Sequence, residues 1–233
     1  MRFRAALERA GAAARANLLP GLLLQAVLVV FLALYLWHHD TQEVLGRVAR
    51  LKQETGYAFA FVSYVVAAVL LPEFLRITFF QGCRITRKNA WNFLTAAPFW
   101  GCMGMVVDLL YRLQGVWFGS GHALHTIVCK VLVDQFLFSP LLSVPWIVGY
   151  FYWRDEGFRV SVLREIFSVG FFLEKVFPVL VAGWCIWIPG VSLVYFMPPL
   201  LQMPVAVLIQ VFYVLILTTM SERKTGSPPP PAG

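Results

Sequence analysis

Lys130–Pro140, reading KVLVDQFLFSP, opens an apolar run that continues through LLSVPWIVGYFYW to Trp153. A lysine, an aspartate and a glutamine so close together need a physical reason on such a background. Lys130 and Asp134 are four apart, so on a helix they share a face and can pair. Gln135 and Ser139 share the same spacing and extend that polar edge. If the run crosses a bilayer, these groups must face other helices or water, because lipid offers them no partner. The meaning of the stretch therefore turns on whether the chain lives in a membrane.

Composition answers that. Of 233 residues, 59% are hydrophobic and 13% charged, against roughly 25% charged in soluble domains. The chain lacks the polar surface that a soluble core of this size would need. It reads as an all-α integral membrane protein, a bundle of about six transmembrane helices (four to six) with amphipathic helices at the interface. Its first partner is the lipid bilayer. The net charge of +7 is spread between apolar runs. Nucleic-acid binding would concentrate it in a patch, so no nucleic-acid partner is expected and the positive-inside rule is the better account.

Working outward along the chain, residues 1–17 form a basic flank with Arg2, Arg4, Arg9 and Arg15. Residues 18–80 form an N-terminal helix pair, a span from Leu18 to Trp37 and another from about Tyr57 to Phe80, joined by an interfacial linker at 38–56. In the linker, Val44, Val48 and Leu51 make the apolar stripe of an amphipathic helix. Pro72 predicts a kink in the second span. Residues 81–90 carry Arg84, Arg87 and Lys88 without an acid. A third span, about 91–118, contains Gly101 and Gly104 as a smooth patch for close helix approach. Its lower end holds Asp108 and Arg112, again four apart. The fourth span runs from about Thr126 to Trp153, followed by a charged amphipathic segment at 154–168. Pro198 and Pro199 divide the remainder into two more spans, and residues 222–233 form a Pro-rich tail expected to be disordered. With both termini inside, twelve Lys and Arg fall in inner segments and three in outer ones.

Little in the sequence suggests catalysis. There is no HExxH, GxSxG, P-loop or dinucleotide fingerprint. His38 with His39, and His122 with His125, lack a further ligand nearby, and Cys83, Cys102, Cys129 and Cys185 show no paired spacing. No metal or cofactor is expected, and the cysteines read as small hydrophobes. Asp108 and Asp134 could form a catalytic carboxylate pair. Each has its own basic residue four away, which argues for neutralisation instead.

The anchor stretch resembles the Mpv-seventeen/peroxisomal membrane protein family. That family carries a Lys, three apolar residues, Asp-Gln, and a Pro five residues after the Gln. Lys130, Asp134, Gln135 and Pro140 match it at every spacing. Tyr111, near the end of the preceding span, is similar to the Tyr of the family's aromatic-Tyr-x-x-Leu helix end but lacks the flanking aromatic, and Trp187, Pro189 and Phe196 resemble its later Trp-Pro and Phe-containing pattern. Ser192 and Tyr195 stand where the family usually has Gln and Asn, and Gln202 and Met203 where it has an Arg. The resemblance covers 90–221. It implies a small multi-span protein of mitochondrial, peroxisomal or other membranes, concerned with channel activity or metabolite homeostasis. The absence of a cleavable presequence leans towards a bacterial cytoplasmic membrane.

Two functions follow. One is a channel or small-solute transporter whose pathway is lined by Asp108, Arg112, Lys130, Asp134 and Gln135, with small solutes or ions as partners and a homo-oligomer as one possible form. The other is a non-transporting scaffold in which the same charges only lock helices together.

Overall fold

Three of the prolines in these helices accompany a change of winding. The computed structural model describes residues 2–225. Among them are nine helices and no strand: α1 (Arg2–Ala16), α2 (Leu18–Trp37), α3 (His39–Thr55), α4 (57–80), α5 (Arg87–Phe118), α6 (Leu124–Asp155), α7 (Val160–Ile166), α8 (Val169–Phe196) and α9 (Pro199–Thr225). Five of them, α2, α4, α5, α6 and α8, are long and apolar enough to cross a membrane. The chain is an all-α, multi-pass membrane bundle. α9 carries a shorter apolar stretch, Pro199–Leu215. It is the buried centre, with Met203, Val205, Ala206 and Ile209 all sealed from solvent and packed among α2, α3, α4, α5 and α8. α9 continues through 222–225, the start of the expected tail; residues 226–233 lie outside the described residues.

The N-terminal flank is itself a helix. α1 packs along α8 and buries Ala6 and Ala10, so small side chains let the two helices approach. The charged segment after α6 is split: α6 runs to Asp155, and the short α7 follows a turn at Gly157.

Pro72, Pro140 and Pro178 each accompany a stretch of π-helix: Val66–Leu70, Asp134–Ser143 and Phe172–Val176. A proline cannot donate to the carbonyl four residues back, and its ring crowds that carbonyl. Widening the turn so that bonds run to the fifth residue relieves both problems. The kink expected at Pro72 is therefore accommodated as a wider turn. The same device at Pro140 rewinds the anchor stretch from Asp134 onward.

α4 and α5 form the tightest seam. A β-carbon built on Gly104 would sit 2.5 Å from the Ala60 carbonyl oxygen and 2.8 Å from the Tyr64 β-carbon; one on Gly101 would run into the Phe61 ring. Beyond the seam, Glu73 accepts hydrogen bonds from Arg76 (2.6 Å), Asn89 (2.6 Å) and Asn92 (3.0 Å), tying α4 to the start of α5. Asn89 also closes a capping box with Thr86 that fixes where α5 begins.

The apolar stripe of α3 is rotated from the expected one. Val44 and Leu51 are exposed, whereas Leu45 and Ala49 pack on the core and Lys52 is buried. Lys52 on that inward face forms an ion pair with Asp108 of α5.

Candidate functional site

Asp134 opens the π-wound part of α6, and both it and Gln135 are buried. Two neutral donors hold the Asp134 carboxylate. Gln135 Nε2 donates to one oxygen at 2.8 Å and the Tyr195 hydroxyl to the other at 2.6 Å. The backbone around it is pinned as well: Trp184 Nε1 on α8 donates to the Gln135 carbonyl oxygen at 3.0 Å, and the Trp184 ring lies 5.0 Å from that of Phe136.

Lys130 does not pair with Asp134. It is 1% exposed, and its ammonium lies over the Tyr195 ring, 5.8 Å from the centroid. Tyr195 thus serves both partners of the expected pair, with its ring to Lys130 and its hydroxyl to Asp134. The same hydroxyl accepts from Gln114 Nε2 at 2.8 Å. Because its single proton goes to the carboxylate, the amide of Gln114 must be the donor. That leaves Gln114 Oε1 buried without a hydrogen-bond partner among the described residues.

Beside this network lies a cavity of about 310 Å³ between α4, α5, α6, α8 and α9. Asp134, Gln135, Ser139 and Ser143 are the polar residues of its α6 wall, and Gln210 is contributed by α9. The rest is apolar, with six aromatic rings set among about as many aliphatic side chains. Asp134 is the one charged residue in the wall.

Asp108 is not part of that wall. Its carboxylate, 2% exposed, is clamped by Lys52 Nζ at 2.6 Å and Arg112 Nε at 2.9 Å. Arg112 is half exposed and also lies over the Tyr57 ring at 4.5 Å. The Asp108–Arg112 pair therefore forms as its spacing suggests, with Lys52 of α3 as a second cation. The two carboxylates expected to share a pathway stand in separate environments.

Lys52 and Tyr195 are the functional-site residues that local spacing does not reveal. A signal for Lys52 exists, since Leu45, Ala49 and Lys52 recur at helical spacing on one face of α3. Of the motif residues, Pro140 lies within the π-wound segment, Trp187 lines the cavity and packs on Tyr213 (6.2 Å), and Pro189 sits inside α8. Phe196 is at the end of α8, its ring 5.6 Å from His122. His38 caps α3 by accepting from the Thr41 amide. Among the described residues no group of His, Cys, Asp and Glu could hold a metal, and all four cysteines are free and exposed. No family model, curated protein or solved structure matches the chain.

Proposed function

We propose that this multi-pass membrane protein is a channel or small-solute transporter, with no enzymatic role, in which the cavity beside Asp134 forms part of the pathway. One observation carries the reading. A buried carboxylate with no cation in contact borders a cavity lined by five helices. Burying an ionised carboxylate is costly unless positive charge compensates it. A site that withholds that charge from its own side chains is suited to receive it from a passing solute or ion. Membership of the Mpv-seventeen/peroxisomal membrane protein family, with both termini on the inner side, belongs to the same proposal and is supported by the Lys130–Asp134–Gln135–Pro140 spacing and the distribution of Lys and Arg.

The test is electrical. Purified chain in planar bilayers is expected to pass current with cation preference, and Asp134→Asn is expected to abolish that preference. Absence of conductance or solute flux from monodisperse wild-type protein would overturn the transport reading.

The scaffold reading is favoured by one specific observation, the closed Lys52–Asp108–Arg112 cluster. There the one buried carboxylate is fully compensated by two cations. On this reading they hold α3 to α5, and the charge-locking role belongs to that end of the molecule while transport belongs to the Asp134 end.

A further inference from the structure

Resting on the reading of the Asp134 cavity as a solute site, we propose that its solute is an organic monocation, an amine or quaternary ammonium with a compact apolar body. Three features of the wall point to this chemistry.

The first is charge. Asp134 alone contributes a formal charge to the wall; no Lys or Arg is among the lining residues. Lys130, the nearest cation in sequence, is turned to the Tyr195 ring and forms no ion pair with Asp134. A negatively charged solute would therefore meet the carboxylate with no cation in the wall to offset the repulsion.

The second is the aromatic lining. Tyr64, Trp100, Tyr111, Phe138, Trp187 and Tyr213 present six rings to a cavity of about 310 Å³. Ring faces carry negative electrostatic potential and attract cations, most strongly where water is excluded, and aromatic cages are a recurrent way of holding quaternary ammonium groups. A small inorganic cation would instead call for a cluster of oxygen ligands, and the wall supplies one carboxylate with its two oxygens already engaged.

The third is size and polarity. A volume of about 310 Å³ is at the small end of ligand pockets, roughly 300–1,000 Å³. Apart from Asp134, the polar groups in the wall are neutral hydroxyls and amides. Ser139, Ser143 and Gln210 can accept or donate to a hydroxyl or amide on the solute without selecting its charge. Charge selection then falls to the carboxylate and the rings.

Trp100 and Trp187 provide a built-in reporter. The chain reconstituted in phosphatidylcholine nanodiscs would be titrated with choline, its uncharged carbon isostere 3,3-dimethylbutanol, and the anion 3,3-dimethylbutyrate, following tryptophan fluorescence. Choline is expected to give a saturable change, with the isostere at least about tenfold weaker and the anion without effect. Asp134→Asn is expected to weaken choline by a similar factor, and Ser139→Lys, which places a cation on the wall, to abolish it. Each variant is first required to be monodisperse with a cooperative melt; if Asp134→Asn fails this, Ser139→Lys and the isostere comparison still decide. Equal binding of choline and its isostere, or no saturable response to choline in folded wild type, would overturn the proposal. Ion conductance without choline binding would leave the transport reading standing and remove this one. Choline binding without flux into proteoliposomes would do the reverse.

Discussion

Asp108 and Asp134 are both buried carboxylates in a membrane bundle, yet the protein treats them in opposite ways. Asp108 is held between Lys52 and Arg112 at 2.6 and 2.9 Å. Asp134 receives hydrogen bonds from Tyr195 and Gln135 and touches no cation. The Asp108 carboxylate is closed: both its oxygens are held by cations, and the surplus positive charge lies with the half-exposed Arg112. The Asp134 carboxylate is satisfied in hydrogen bonds and open in charge, and it borders a cavity. Burial alone does not separate the two carboxylates; the presence of a cation in contact does.

The sharpest way to break this contrast is to remove each carboxylate in turn. Asp108→Ala leaves Lys52 buried with no counter-ion. Breaking a buried pair in this way costs about 3–5 kcal/mol, so the variant is expected to show a large loss of folded protein by size-exclusion chromatography and thermal melting in detergent. Asp134→Asn retains an acceptor for the Tyr195 hydroxyl, and the Gln135 amide can turn to accept from the new side chain. Its cost is expected to be about 1 kcal/mol, with the effect appearing in cation selectivity instead. Equal destabilisation by the two changes would erase the distinction.

The next effect tests the seam that sets the cavity wall. Gly104→Leu places a side chain where even a β-carbon meets the Ala60 carbonyl oxygen and Tyr64. Overpacking costs typically about 1–3 kcal/mol, and here the obstacle is partly backbone, so the high end is expected. Tyr64 lines the cavity, so displacement of α4 should also alter solute binding. A melt unchanged from wild type would show that the helices separate freely.

How much of this was legible in the sequence differs between the two carboxylates. The all-α membrane bundle followed from composition and run length, and the glycine patch from Gly101 and Gly104. Asp108–Arg112 and Lys130–Asp134 have the same spacing, and only the first makes an ion pair. Winding is not the reason: the turn is α-helical in both pairs, and the Asp134 N–H bonds to the Lys130 carbonyl oxygen. What differs is a third residue, since Tyr195 takes the Lys130 ammonium on its ring and the Asp134 carboxylate on its hydroxyl. The remaining partners come from afar: Lys52 reaches Asp108 from α3, and Tyr195 reaches Asp134 from α8. No local spacing rule encodes a contact between helices. On α3, likewise, the inward face carries Leu45, Ala49 and the paired Lys52 in place of Val44 and Leu51.

Tyr195→Phe probes the open network more gently. It keeps the ring under Lys130 and removes the hydroxyl that joins Gln114 to Asp134. Gln114 then loses its donor's acceptor and Asp134 one of its two donors. A buried polar group left unsatisfied costs about 1–3 kcal/mol. A melt lowered within that range, with weakened selectivity, is the expected outcome. A large change in selectivity without any change in stability would mean that the hydroxyl acts on the solute directly.

The smallest effect is expected at Trp184. Its indole N–H donates to the Gln135 carbonyl oxygen, and its ring packs on Phe136. Trp184→Phe keeps much of the ring contact and removes the hydrogen bond, so the loss in stability should be about 1 kcal/mol. The bond nevertheless reaches the π-wound backbone directly after Asp134. A π-turn leaves its carbonyls less regularly partnered than an α-turn does, and an outside donor is one way to hold the widened geometry in place. If the winding positions Asp134, Trp184→Phe should weaken cation selectivity by more than its small effect on the melt would suggest, and Trp184→His, which can restore an N–H donor, should recover part of it. If selectivity follows stability in both variants, the π-turn is only the proline's accommodation, and Asp134 is positioned by Tyr195 and Gln135 alone.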